Sequence, residues 1–239
     1  MLFVAALLFC TACVTPTRPP DTVVPTPAVP AFAGFPAYAA TVVVPRIDVH
    51  AAPSDTSRVV VSLGKLNENR APQTFLLRRA ERGLDGRAWY DVSLPIRPNG
   101  STGWVRADDV DITGLRYALV VHLASFRLDL FDTNRRTATF PIGVGTENTP
   151  TPAGRYYVKE LIRPPDPNTV YGVYVLGLSG FSNVLVNWPD GGVIGIHGND
   201  DVSSIGRRVS HGCIRMRNED ITLLARLLPL GTPVTIEAN

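Results

Sequence analysis

Cysteine is nearly missing from the body of this chain. Of three in 239 residues, Cys10 and Cys13 sit in an apolar N-terminal stretch and only Cys213 lies beyond it. An internal disulfide framework is therefore excluded, and the remaining thiol is left for chemistry or for burial. There is also no run of lysine or arginine and no basic–aromatic stripe. Arg78-Arg79, Arg135-Arg136 and Arg207-Arg208 are isolated pairs, and the formal net charge is only +2. That pattern argues against nucleic acid as a partner. No apolar run reaches the about 20 residues a bilayer-spanning helix needs, and no internal repeat is visible. At 45% hydrophobic and 18% charged residues, the composition suits a soluble globular protein of one or two domains.

Residues 1–14 (MLFVAALLFCTACV) are too short to cross a membrane alone and resemble the hydrophobic core of a signal peptide, although no positive flank precedes them. Leu8-Phe9-Cys10 and Thr11-Ala12-Cys13 both resemble a lipoprotein cleavage box. The second has the smaller residues before its cysteine, so Cys13 is the candidate lipidation site. An extracytoplasmic location is expected, either secreted or lipid-anchored at the envelope. Residues 15–41 hold Pro16, Pro19, Pro20, Pro25, Pro27, Pro30 and Pro36. Proline at that density disfavours helix and central strands, so an extended tether is expected, reaching about 80 Å if fully polyproline-like.

Residues 42–112 show short β-like stretches at Val42-Val44, Arg58-Leu63, Thr74-Ala80, Trp89-Leu94 and Gly103-Arg106. Turn signals such as Asp85-Gly86 and Pro98-Asn99-Gly100 separate them. A small all-β barrel is expected, with Trp89 and Trp104 as core aromatics rather than ligand-stacking platforms. Residues 115–237 again read as mainly β. Tyr117-Leu123, Ser125-Phe131, Thr137-Val144, Arg155-Leu161, Val173-Leu178, Val193-His197 and Pro233-Glu237 are the candidate strands, with a hairpin turn at Asp132-Thr133-Asn134. One helix is predicted over Asn218-Leu228. Asn218 is its expected cap, Glu219 and Asp220 suit its positive end, and Ile221, Leu224, Ala225 and Leu228 form its apolar face.

The chemistry concentrates in Ile196-His197-Gly198-Asn199 and Ser210-His211-Gly212-Cys213-Ile214-Arg215-Met216. Three arrangements fit. Cys213 is a nucleophile with a histidine as base, Gly212 leaving room for substrate and the Cys213 amide donating to an oxyanion. Alternatively, His197, Asp200 or Asp201, His211 and Cys213 hold zinc, although without the paired spacings of most zinc motifs. Or Cys213 is an inert buried residue, against which its glycine-rich, polar setting argues.

His197 followed by Ser210-His211-Gly212-Cys213 resembles the signature of the YkuD-type L,D-transpeptidases, bacterial envelope enzymes that remodel peptidoglycan. Phe126-Arg127-Leu128-Asp129-Leu130-Phe131, Gly145-Thr146, Thr149-Pro150-Thr151-Pro152-Ala153-Gly154 and Ile214-Arg215-Met216 extend the likeness over about half the chain. It implies a YkuD-type β-sandwich catalytic domain over residues 115–237. Ala52-Pro53-Ser54, Trp89-Tyr90-Asp91-Val92 and Gly103-Trp104-Val105 in turn resemble a bacterial Src-homology-3-like barrel, which implies binding to cell-wall material or packing on the catalytic unit.

Carried over, the resemblance makes Cys213 the nucleophile and His197 the base, with the Gly198 carbonyl orienting the imidazole and His211 beside the oxyanion. Ser210, Gly212 and Arg215 would shape the pocket, Arg215 meeting a substrate carboxylate. Tyr171, Tyr174 and Trp188 would line a lid or acyl-donor channel, with core packing the equal alternative for each. The implied reaction passes through a thioester on a peptidoglycan stem peptide, which an amine of a neighbouring stem resolves into a cross-link; no metal or organic cofactor is required. The alternatives are an L,D-carboxypeptidase on the same scaffold and a non-catalytic wall-binding protein.

Overall fold

A computed structural model describes residues 34–187 and 189–238. The signal segment, Cys10, Cys13, the tether up to residue 33 and Trp188 lie outside the described residues.

Strands β1 (Ala37–Val42), β2 (Arg46–His50), β3 (Val59–Gly64), β4 (Thr74–Arg82), β5 (Ala88–Ser93), β6 (Thr102–Arg106) and β7 (Val110–Leu115) form one sheet in the order β3-β2-β6-β5-β4-β1-β7. It has a core of its own, which includes Val42, Ile47, Val49, Phe75, Val92 and Val105. Trp89 and Trp104 are buried, as expected of core aromatics. Strand β1 begins inside the stretch expected to be tether. Its small residues Ala39 and Ala40 are fully buried, and it is held on both sides, by β4 and by β7. Two flanking partners outweigh the proline-rich run before it.

The second sheet contains β8 (Tyr117–His122), β9 (Arg127–Asp132), β10 (Arg135–Pro141), β12 (Gly154–Ile162), β13 (Val175–Phe181), β14 (Val193–His197), β16 (Ile214–Arg215) and β17 (Pro233–Glu237). The order is β10-β9-β8-β17-β12-β13-β14-β16, and a short parallel pair, β11 (Val144–Gly145) with β15 (Arg208–Ser210), lies apart. Alternation does what the sequence suggests: Leu119 and Val121, Leu128 and Leu130, and Val234 and Ile236 turn into one core. The β9–β10 turn falls at Thr133 and Asn134, both with positive φ.

Among the described residues there is one α-helix, α1 (Asn218–Leu227), which buries Ile221 and Leu224. Asn218 does not cap it. The chain enters through Arg217 without a side-chain cap, and Asn218 Oδ1 instead accepts from the Val173 N–H at 3.3 Å. A tertiary partner has taken the oxygen that local spacing assigns to the helix end. No described helix is long and apolar enough to cross a membrane.

Candidate active site

Strand alternation places the chemistry. In β14, Ile194 and Ile196 face the core, so Gly195 and His197 face the other way. Strand β16 runs parallel beside it with Ile196 opposite Ile214 and His197 opposite Arg215. Ile214 and Met216 therefore join the core, while Cys213 and Arg215 share the face of His197. On β13, Gly177 stands opposite Gly195 and Val175 opposite His197; on β12, Glu160 stands opposite Gly177 and Ile162 opposite Val175. Two rows result, Glu160–Gly177–Gly195–Cys213 and Ile162–Val175–His197–Arg215. Together they line a cleft of about 570 Å³. Gly177 is required by space: a Cβ there would stand 2.4 Å from Glu160 Oε1, which lies across it.

His197 is 3% exposed, and its Nδ1 donates to the Gly198 carbonyl at 2.5 Å. A carbonyl can only accept, so Nδ1 carries the proton and Nε2 is left as the basic nitrogen. The Tyr171 ring meets the imidazole edge-on, 5.3 Å between centroids. Burial lowers the His197 pKa to about 4, and the Arg215 charge pushes the same way; the carbonyls of Gly198 and Val170 oppose them. Cys213 is partly buried and lines the cleft rather than the core. Burial pushes its thiol up, against a backbone hydrogen bond from Gly195 and the Arg215 charge. At neutral pH the pair is thus a neutral imidazole and a neutral thiol.

The turn carrying Cys213 is fixed from below. Ser210 Oγ donates to the Cys213 carbonyl at 2.6 Å and accepts from the Gly212 N–H at 3.1 Å. Gly212 has φ +120°, which side-chain-bearing residues rarely adopt, so the serine–glycine–cysteine spacing is what this turn demands. The Gly212 N–H is consequently occupied and does not face an incoming oxyanion; the glycine serves the turn. The Thr146 N–H and the Thr149 hydroxyl both donate to the Ser210 carbonyl at 3.0 Å, which gives the threonine–proline stretch a place behind the site.

His211 is exposed at the cleft. Arg215 lines it too, and its buried Nε has no hydrogen-bond partner among the described residues. Tyr174 does not reach the cleft: its ring packs against the core, and its carbonyl accepts from the Gly198 N–H at 3.1 Å. Tyr171 lines the cleft instead. Among the described residues no three of His, Cys, Asp or Glu converge as metal ligands. Asp201 is engaged elsewhere, accepting from the Ser203 N–H at 2.9 Å and the Ser203 hydroxyl at 2.6 Å.

Sequence reading missed Glu68 and Asn69 of the first sheet, and Lys159 and Glu160 of the second, which also line the cleft. Glycines at matching positions of β13 and β14 were the one available signal that a trough crosses this face.

The YkuD family, an L,D-transpeptidase catalytic domain, matches residues 116–236. The L,D-transpeptidase YkuD of Bacillus licheniformis is 36% identical over 159 residues, 64% of this chain and 88% of its own. The L,D-transpeptidase ErfK/SrfK of Salmonella typhimurium is 28% identical over 218 residues, 77% of this chain and 66% of its own. Among solved structures, Bd1075 of Bdellovibrio bacteriovorus is 27% identical and aligns with 52% of this chain and 48% of its own at a TM-score of 0.43. With the family domain spanning every strand that builds the cleft floor, this chain belongs to the YkuD family of L,D-transpeptidases.

Proposed function

We propose that the chain is a peptidoglycan L,D-transpeptidase that works through a thioester on Cys213. The observation that carries this reading is the parallel register of β14 and β16, which turns Cys213 and His197 to the same cleft-facing side with His197 Nε2 unprotonated. His197 takes the thiol proton as sulfur attacks the carbonyl of the diamino acid at position three of a tetrapeptide stem. The C–S bond forms, the oxyanion draws on the Cys213 N–H, and the imidazolium returns its proton to the departing D-alanine amine. The carbonyls of Gly198 and Val170, which favour the protonated ring, support this transient cation. Arg215, whose side chain lines the cleft, suits the terminal carboxylate of the donor stem.

The amine of a second stem then attacks the thioester and gives a cross-link. The partly enclosed cleft favours that amine over water. The seven-stranded sheet is a Src-homology-3-like barrel in this reading, and it brings the enzyme to cell-wall material in the envelope. A lipid at Cys13 would tether it there.

Incubating the purified protein with a tetrapeptide-stem muropeptide, followed by mass spectrometry, tests the reading. Cross-linked dimer with free D-alanine is expected, and Cys213→Ala gives none. Trimmed tripeptide alone would replace transpeptidation by carboxypeptidation; an unchanged substrate would overturn the enzymatic reading.

A further inference from the structure

The bank of the cleft opposite Cys213 is built jointly by the two sheets. The segment between β3 and β4 reaches over β12. There Glu68 accepts from Lys159 Nζ, while Asn67 and Asn69 donate to Glu160 Oε2 at 2.9 and 3.0 Å. Lys159 Nζ is also 3.5 Å from Glu160 Oε1. Neighbouring residues of a regular strand face opposite ways, but Lys159 and Glu160 are both buried because the register of β12 shifts between Val158 and Glu160. The Glu68 carboxylate, by contrast, is 61% exposed.

A second junction stiffens the arrangement. The Asn99 side chain donates to the Phe181 carbonyl at 2.8 Å and accepts from the Phe181 N–H at 2.9 Å, and Arg97 donates to the carbonyls of Ser182 and Gly191, both at 3.0 Å. The first sheet is thus fastened at two places along the cleft, and Glu68 is held at its edge.

The charges differ between the banks. Arg215 stands beside Cys213, whereas two carboxylates and one ammonium leave the Glu68–Lys159–Glu160 group with a net negative charge. Between them run Gly177 and Gly195, without side chains to interrupt the floor. Cys213 lies three strand spacings from Glu160, roughly 14 Å from backbone to backbone. Side chains from each bank shorten the remaining gap to the reach of a lysine-like chain.

We propose that Glu68 makes the first sheet part of the active site, as a specificity-determining residue for acyl acceptors that carry a second ammonium. One amine of such an acceptor resolves the thioester while its other, protonated amine lies against Glu68 and Glu160. The attacking amine, its ammonium proton lost to solvent, forms the C–N bond; His197 takes a second proton from that nitrogen and returns it to sulfur as the C–S bond breaks. This inference rests on the transpeptidase reading and adds the acceptor class to it.

The test loads the full-length enzyme with a tetrapeptide donor and offers D-lysine or D-norleucine, which share a chain length and differ in the terminal ammonium. Product is counted by mass spectrometry. The wild type is expected to use D-lysine about fivefold better in kcat/KM, the scale of one partly exposed ion pair. Most of that preference lies in KM and weakens in high salt. Glu68→Gln removes the preference, whereas Glu68→Asp keeps most of it. Equal use of the two acceptors by the wild type, or a preference that survives in Glu68→Gln, overturns the inference while the thioester stands. Failure to form any acyl-enzyme overturns the underlying reading instead. The wild-type comparison decides the matter even if Glu68→Gln does not fold.

Discussion

Two of the buried N–H groups that find no partner, one in each sheet, sit in different surroundings. Trp89 Nε1 in the first sheet and Arg215 Nε in the second are both shielded and unsatisfied. Trp89 is fully enclosed by its own core and does not line the cleft; its orphaned donor is a cost of packing a large ring. Arg215 Nε is just as shielded, but the side chain that carries it lines an open trough, where a ligand can meet the rest of the guanidinium. Some of the surrounding buried polar groups follow the same division. In the first sheet they close on each other: Asp91 on Arg79 at 3.2 Å, and His50 Nδ1 on the Ser57 carbonyl at 3.2 Å. In the second, Glu160, His197 and Ser210 border a cavity. The difference between Trp89 and Arg215 lies in what the rest of the side chain adjoins.

Substitutions in both regions can break or sharpen that contrast. The largest effect is expected from His197→Gln, which removes the base while retaining a polar side chain. Its kcat in muropeptide turnover should fall by about a thousandfold, within the range of lost general-base catalysis. A fall under tenfold would show that another group takes the proton.

The same residue should leave a mark on stability. Its native pKa of about 4 lies below the ordinary 6.5, so on acidification the unfolded chain takes up a proton that the native state refuses. The associated stability is fully present above pH 6.5 and is lost as pH falls through that window to about 4, amounting to about 3 kcal/mol. Urea unfolding of wild type and His197→Gln at pH 7 and pH 4.5 measures the difference, since the variant lacks this loss.

Arg215→Gln is expected to raise the donor KM about tenfold, the scale of one hydrogen bond to a charged group. It should also move the acid limb of the pH–rate profile upward, because the Arg215 charge helps hold His197 low. An unchanged donor KM would strip Arg215 of that role. The smallest effect is reserved for Trp89→Phe. Losing an unpartnered N–H and part of a ring should shift stability by about 1 kcal/mol, with kcat and KM untouched. A loss of activity would break the proposed separation of the two regions.

Local patterns made much of this molecule legible. Val193-Ile194-Gly195-Ile196-His197 alternates cleanly, and β14 occupies those residues; the helix likewise falls at Asn218–Leu227. The thiol and imidazole could be singled out because their glycine-rich settings are local. Contacts distant in sequence were not legible. Val158-Lys159-Glu160-Leu161 reads as a strand with solvated charges, and nothing nearby announces the register shift that buries both. Their partners Asn67, Glu68 and Asn69 lie some 90 positions earlier. Asn218 and Tyr174 failed as cap and cleft residue for the same reason, since each is claimed by an element that spacing alone does not bring near.

The Gly198 carbonyl that holds the His197 ring belongs to the main chain. Where an aspartate orients a histidine, one codon change can erase the orienting oxygen. Here every amino acid at position 198 would carry that oxygen, and inheritance safeguards only the bend of the backbone. A Cβ at position 198 would stand 2.1 Å from Asn218 Oδ1, so a larger residue there keeps the orienting oxygen but asks the Asn218 side chain to give way.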